Sequence, residues 1–233
     1  MSIASWVIRR MVRRRLRQVA ETLCDPAGTQ ERLLLDLVGR AARTEWGREH
    51  EYGAIRTVRD FQQAVPITRY EDMAPLWERS LAGEADLSWP GRIRYFATSS
   101  GTTTGITKLL PVSRDTVRAN VRAGAQLMGL CERQAPGLDT SAGRTLYFGG
   151  STRLKRNGAC WQGDSSGIMA AHLPRVAWLH RLPERSVAAM SNWEQKVETI
   201  CRRYQDSPVR TIAGLPIWSL ILLRRLIDVA REH

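Results

Sequence analysis

The chain has 233 residues, 43% of them hydrophobic, and a formal net charge of +12. That length buries a core as one domain or two small ones, and the charge admits nucleic acid, anionic membrane or phosphorylated ligands without choosing among them. Cys24, Cys131, Cys160 and Cys201 are far apart and form no C-x-x-C pair, which argues against a zinc site or a disulfide framework and fits a reducing cytosol.

No continuous apolar run precedes a small-residue cleavage site at the N-terminus, so no secretory signal is read there. The longest apolar stretch, Leu215–Leu223, is too short to span a bilayer. The expectation is a soluble, cytoplasmic chain with no membrane span.

Residues 3–23 are predicted to form a basic amphipathic helix, with Ile3, Trp6, Val7, Met11, Val12, Leu16, Val19 and Leu23 near helical spacing. Six arginines fall between Arg9 and Arg17. Such a helix docks on a core with a solvated arginine face, or lies on a membrane surface or nucleic acid. Asp25-Pro26-Ala27-Gly28 breaks it, and a second helix is expected from Gln30 to about Glu45, capped by Thr29. His50 follows the Trp46-Gly47 turn with no second His or Cys nearby, so a structural histidine is expected rather than a ligand or base.

Thr57-x-x-Asp60 and Thr68-x-x-Glu71 read as capping boxes opening short helices at 58–64 and 69–80. Trp89-Pro90-Gly91 is a turn into Arg92-Ile93-Arg94-Tyr95-Phe96-Ala97, whose alternation and aromatic content predict a strand.

Ser99 to Ile106 is almost wholly Ser, Thr and Gly, with Lys108 two residues later. Gly101 and Gly105 permit positive φ and close backbone approach, and successive N–H groups in such turns make anion-binding concavities. Ser99, Ser100, Thr102, Thr103 and Thr104 add hydroxyl donors, and Lys108 adds a compact positive charge. The spacing fits neither G-x-x-x-x-G-K-[ST] nor G-x-G-x-x-G. A solvated Ser/Thr/Gly linker is the plain alternative, and the flanking strand and Lys-Leu-Leu-Pro count against it.

SSGTTTGITK resembles the phosphate-binding signature of the acyl-adenylate-forming enzymes, and within them the auxin-responsive acyl-acid amido synthetases (the Gretchen Hagen three family, including its bacterial members). Thr44 to Pro66 and the lead-in LAGEADLSWPGRIRYFATSSGTTTG are similar to the same family. The resemblance implies ATP-dependent activation of a carboxylic acid, with Mg²⁺, and transfer of the acyl group to an amine or amino acid. It implies that Ser99, Ser100, Gly101, Thr102, Thr103, Thr104 and Gly105 hold the ATP phosphates while Lys108 is catalytic.

Beyond Pro111, Ser113 is expected to cap a helix from about Arg114 to Glu132. The resemblance places its first turn, at Thr116, near the acyl substrate. Arg144–Gly149 is predicted as a buried strand. Gly163-Asp164-Ser165-Ser166-Gly167 satisfies G-x-S-x-G, the hydrolase nucleophile elbow. Only Ala159–Gln162 offers a strand before it, and His172 and His180 are out of the usual order, so a structural turn is expected. Ser191-x-x-Glu194 reads as a capping box for a helix from Asn192 to Tyr204. Val209–Ala213 is predicted as a strand ending at Gly214, and Leu215-Pro216-Ile217-Trp218 starts a final helix with Pro in its first turn. By the resemblance, Gly214 and Trp218 are acyl-pocket candidates. No metal ligand is assigned.

Strands alternating with helices predict the α/β class, with a helical region at 1–90 and a partial nucleotide-binding domain at 91–233. The expected architecture is an incomplete N-terminal domain of an acyl-adenylate-forming enzyme: a mixed sheet flanked by helices, after a helical lead-in. The family's later signatures have no counterpart in these 233 residues, so a truncated, inactive fragment is expected. The other function class is a basic binding module for nucleic acid or anionic surfaces. The resemblance favours small-molecule partners, a carboxylic acid and an amine, with no nucleic acid.

Overall fold

A computed structural model describes residues 3–99, 107–135, 137–139 and 143–232. Helices come first: α1 (Ile3–Cys24), α2 (Pro26–Ala41), α3 (Glu45–Glu49), α4 (Val58–Ala64) and α5 (Tyr70–Ala82). Strands β1 (Tyr95–Ser99) and β2 (Lys108–Val112) follow, then α6 (Arg114–Gln134), β3 (Arg144–Phe148), β4 (Lys155–Asn157) and β5 (Cys160–Asp164). The rest is α7 (Ser165–Ala171), α8 (Arg175–His180), β6 (Arg181–Leu182), α9 (Arg185–Ala188), α10 (Trp193–Tyr204), β7 (Val209–Gly214) and α11 (Pro216–Arg231). The α/β class and the helical lead-in are borne out.

The chain divides into two compact units. One, the hairpin unit, comprises Gln18–Thr116 and Lys155–Gln162; the other, the parallel-sheet unit, comprises Met1–Arg17, Val117–Leu154 and Gly163–His233.

In the hairpin unit the strand order is β2-β1-β5-β4. β1 and β2 pair antiparallel from Tyr95↔Val112 to Ser99↔Lys108, and β4 and β5 pair antiparallel as well. Phe96, Ile93 and Cys160 are buried, with Trp77, Leu81, Trp89 and Leu109 packed against them. The Cys160 thiol donates to the carbonyls of Ser80 and Ile93 at 3.3 and 3.2 Å, so even the buried sulfur is satisfied.

Several helix starts differ from expectation, each because a neighbouring side chain caps better. α2 begins at Pro26: Asp25 Oδ1 accepts the Gly28 N–H at 2.9 Å, and proline is well placed at the first helical position. Thr29 therefore lies inside the helix. α2 stops at Ala41, and Thr44 caps the separate helix α3 through the Gly47 N–H. The Thr57/Asp60 capping box forms as expected. The Thr68/Glu71 box does not, because Asp72 accepts the Arg69 N–H at 2.7 Å and α5 starts at Tyr70. β2 is a strand that proline content disguises. Pro111 is tolerated there because β2 lies at the sheet edge, where a missing N–H breaks no ladder bond.

In the parallel-sheet unit the order is β6-β3-β7, all parallel. Leu146 and Phe148 of β3, Val197, Ile200 and Cys201 of α10, and Leu222 and Val229 of α11 form the core. α10 places its apolar residues on one face at helical spacing. Asn192, not Ser191, caps it, accepting the Gln195 N–H at 2.8 Å. Gly129 of α6 admits α1 closely: a Cβ there would stand 2.7 Å from Leu16 Cγ and 2.9 Å from Val12 Cγ1. α7, α8, β6 and α9 have no counterpart among the sequence-based expectations.

Candidate functional site

In the hairpin unit, β1 ends at Ser99 and β2 opens at Lys108, and these two residues are register partners. The antiparallel pair thus brackets the hydroxyl-rich segment at both ends. Ser100, Gly101, Thr102, Thr103, Thr104 and Gly105 lie outside the described residues.

The first turn of α5 holds the start of β2. Lys108 Nζ is 3.2 Å from Glu71 Oε1 and 4.8 Å from the Tyr70 ring centroid, a cation–π distance. The Leu109 N–H, on the unpaired side of an edge strand, donates to the Tyr70 hydroxyl at 3.0 Å. Tyr70 in turn packs on Trp77, ring centroids 5.1 Å apart, which ties the arrangement to the core of this unit. The Glu71 carboxyl sits below its ordinary range, first because its own backbone N–H donates to it and then because Lys108 does. Glu71, expected as a capping residue, is therefore a lysine partner.

Thr116 is exposed in the first turn of α6, where its N–H donates to Ser113 Oγ at 3.0 Å, as expected of the cap. Next to it, Asp115 Oδ2 accepts from Arg40 at 2.5 Å and from the Trp89 indole at 3.2 Å. The turn before β1 is thereby tied to the start of α6. His50 stacks on Trp46 at 3.9 Å, and its Nδ1 lies 3.0 Å from the Trp46 carbonyl, the structural histidine expected.

In the parallel-sheet unit, β3 lies between two strands that both follow it in sequence. The direction of winding reverses between β3 and β7, and open α/β sheets bind ligands outside the carboxyl ends of the strands at such a point. Those ends are Gly149-Gly150 after β3 and Gly214 on β7. Gly214 pairs with Phe148, and a Cβ on it would stand 2.4 Å from the Phe148 carbonyl oxygen, so no side chain fits. Trp218 packs against Trp193 at 4.5 Å and edge-on to Phe148 at 6.5 Å. The structure thus puts Gly214 and Trp218 at one strand-to-helix junction. Thr116 belongs to the other unit.

Two buried cations in this unit escaped sequence reasoning. Lys196 is 3% exposed, and its ammonium donates to the carbonyls of Gly149, Gly150 and Ala188 at 2.9, 3.3 and 3.1 Å. Burial, with the charge of Arg181, pushes it down to about 8, while the three carbonyls favour the charged form. Arg181 is sandwiched between the rings of Tyr147 and Trp178 at 4.5 and 4.3 Å and donates to the Ala170 carbonyl, while its buried Nε has no hydrogen-bond partner among the described residues. The available signal was Lys196 itself, a lysine on the face that also carries Trp193, Val197 and Ile200.

The G-x-S-x-G segment has more of its context than expected, with β5 running to Asp164 and α7 starting at Ser165. The elbow's strain is absent. Ser165 is not among the described non-glycine residues with positive φ, which are Glu51 and Asp86. Ser166 Oγ accepts the Gly150 N–H at 2.9 Å, and His172 Nδ1 faces the Ile168 carbonyl at 2.8 Å. The segment is a structural turn that fixes the end of β3. Among the described residues, no three His, Cys, Asp or Glu side chains gather to hold a metal, and no helix is long and apolar enough to cross a membrane.

Residues 15–159 match the family model described as the GH3 family N-terminal domain. The chain is 26% identical over 196 residues to the putative indole-3-acetic acid-amido synthetase GH3.10 of Oryza sativa subsp. japonica, covering 81% of this chain and 41% of that relative. It is 30% identical over 136 residues to the indole-3-acetic acid-amido synthetase GH3.2 of Arabidopsis thaliana, covering 57% of this chain and 24% of the relative. The fold is similar to that of the GH3.15 acyl acid amido synthetase, with a TM-score of 0.75 and 21% identity over 93% of this chain and 39% of that one. The chain therefore spans less than half the length of these relatives. With the hydroxyl-rich hairpin and the lead-in before it inside the matched residues, the chain belongs to the GH3 family and corresponds to its N-terminal part.

Proposed function

We propose that this chain carries the phosphate-binding and part of the acid-binding portion of an ATP-dependent acyl-acid amido synthetase. In that reaction a carboxylate attacks the α-phosphorus of ATP, pyrophosphate leaves, and an amine or amino acid then takes the acyl group from the acyl-adenylate. The observation that carries the reading is the Ser99–Lys108 pair, which fixes both ends of a segment rich in hydroxyls and backbone donors. A polyphosphate needs many convergent donors and one mobile cation, and positioning plus charge neutralisation dominate this chemistry.

In this reading Ser99, Ser100, Gly101, Thr102, Thr103, Thr104 and Gly105 hold the β- and γ-phosphates. Lys108 offsets charge on departing pyrophosphate. Mg²⁺ arriving with the nucleotide supplies further neutralisation. No general base is required, because the attacking carboxylate is already ionised at neutral pH. Gly214 and Trp218 are acyl-pocket residues, supported by their place at the switch point of the parallel sheet; Thr116 keeps that role on the resemblance. The substrate acid and the amine are small molecules, and a cytoplasmic location accords with four free cysteines.

The test is calorimetric titration of the 233-residue chain with pyrophosphate and with Mg·ATP. Wild type is expected to bind both, and Lys108→Ala to weaken both by about ten-fold, one charge-assisted contact, without a change in the circular dichroism spectrum. Equal affinity in the variant would remove Lys108 from the site. Because the chain spans under half of its relatives, little acid-dependent pyrophosphate exchange is expected from it; robust exchange would show that it holds a whole catalytic site.

A further inference from the structure

Lys108 is not free to meet an anion as it stands. Its ammonium lies 3.2 Å from Glu71 Oε1 and over the Tyr70 ring at 4.8 Å. A phosphate brought to that ammonium would approach a carboxylate of the same sign, and like charges at such separations repel. Yet the pair is loosely held. Glu71 keeps 64% of its side chain exposed, and ion pairs in such settings contribute little to stability. Glu71 also has other groups to turn to: its own backbone N–H donates to it, and the charge of Arg69 lies close by.

Tyr70 differs, because it is anchored. Its hydroxyl accepts the Leu109 N–H at 3.0 Å and its ring packs on Trp77, so the face beneath the ammonium is fixed while the carboxylate is not. From this asymmetry we infer that Glu71 is the resident counter-ion of Lys108, which a phosphate group displaces, while Tyr70 is the fixed platform on which the ammonium changes partner. The inference rests on the reading of the β1–β2 hairpin as a phosphate site. It adds a positioning residue that tunes phosphate affinity from the first turn of α5.

The experiment is a double-mutant cycle on the 233-residue chain, with inorganic pyrophosphate as the probe at low ionic strength. Glu71→Gln is expected to tighten binding about three- to ten-fold, a gain that shrinks as salt screens the charges. The gain is expected to vanish in the Lys108→Ala background, since the carboxylate acts through the ammonium. A merely structural Glu71 would give weaker binding, or none of the salt dependence. If Lys108→Ala weakens binding while Glu71→Gln leaves it equal or weaker, the counter-ion role is overturned and the phosphate site stands. If neither substitution alters binding, or neither wild type nor Glu71→Gln binds pyrophosphate, both are overturned.

Discussion

In the hairpin unit Lys108 keeps 27% of its side chain exposed and meets a carboxylate, whereas in the parallel-sheet unit Lys196 is 3% exposed and meets three backbone carbonyls. Individual arginines show the same contrast, although Arg202 and Arg225 of the parallel-sheet unit also form a surface pair, with Glu198. Arg40 and Arg79 of the hairpin unit pair with Asp115 and with Glu45 and Glu84 near the surface. Arg181 of the parallel-sheet unit rests between aromatic faces. An exposed ion pair exchanges partners at small cost, because water and salt compensate each charge. A buried ammonium donating to carbonyls cannot leave them without orphaning acceptors. The first kind of cation is available to a ligand; the second holds a scaffold, here the glycine turn at the end of β3.

The comparison breaks most readily at Lys196. Lys196→Met removes the donor to three carbonyls and is expected to destabilise the parallel-sheet unit by about 3 kcal/mol, read by denaturant unfolding. A neutral result would mean that the glycine turn stands without it. Gly214→Ala comes next. Its Cβ would meet the Phe148 carbonyl oxygen at 2.4 Å, so the β3–β7 pair has to shift, at about 2 kcal/mol by the same measurement.

On the hairpin side, Tyr70→Phe keeps the ring under Lys108 but orphans the Leu109 N–H. The expected loss is about 1 kcal/mol, with faster amide exchange at Leu109. Exchange unchanged at that amide would show that water replaces the hydroxyl. The smallest effect is expected back in the parallel-sheet unit, from Glu198, a partly exposed carboxylate whose pKa is held down to about 2, first by hydrogen bonds from Arg225 and then by Arg202. A depressed carboxyl favours the folded state above its ordinary range and loses that contribution as pH falls toward about 2. Glu198→Gln should therefore lower stability slightly at neutral pH, leave it unchanged near pH 2, and so flatten the acid limb of the stability profile.

Where local chemistry decides, the sequence was legible. The Thr57/Asp60 box, the β3 and β7 runs and Pro216 at the first position of α11 all declare themselves within a few residues. The hydroxyl-rich segment and Lys108 stood out by residue type and spacing, and the pairing of Ser99 with Lys108 at its two ends is what the fold adds. Competing caps were harder to read: Asp25 and Thr29 are both good caps, and the proline after Asp25 decided between them. β2 was hidden by Pro111, harmless on an edge strand, and an edge is a property of the whole sheet. Glu71 read as half of a capping box because its partner Lys108 is 37 residues away. The partners of Lys196 were hidden for the same reason, its acceptors belonging to the ends of β3 and α9.

The most direct test of the central claim is a structure of the 233-residue chain with a non-hydrolysable ATP analogue. The β- and γ-phosphates are expected beside the Ser99–Lys108 pair, with Lys108 Nζ about 3 Å from a phosphate oxygen and no longer on Glu71. Nucleotide bound elsewhere, with Lys108 still paired to Glu71, would contradict the account.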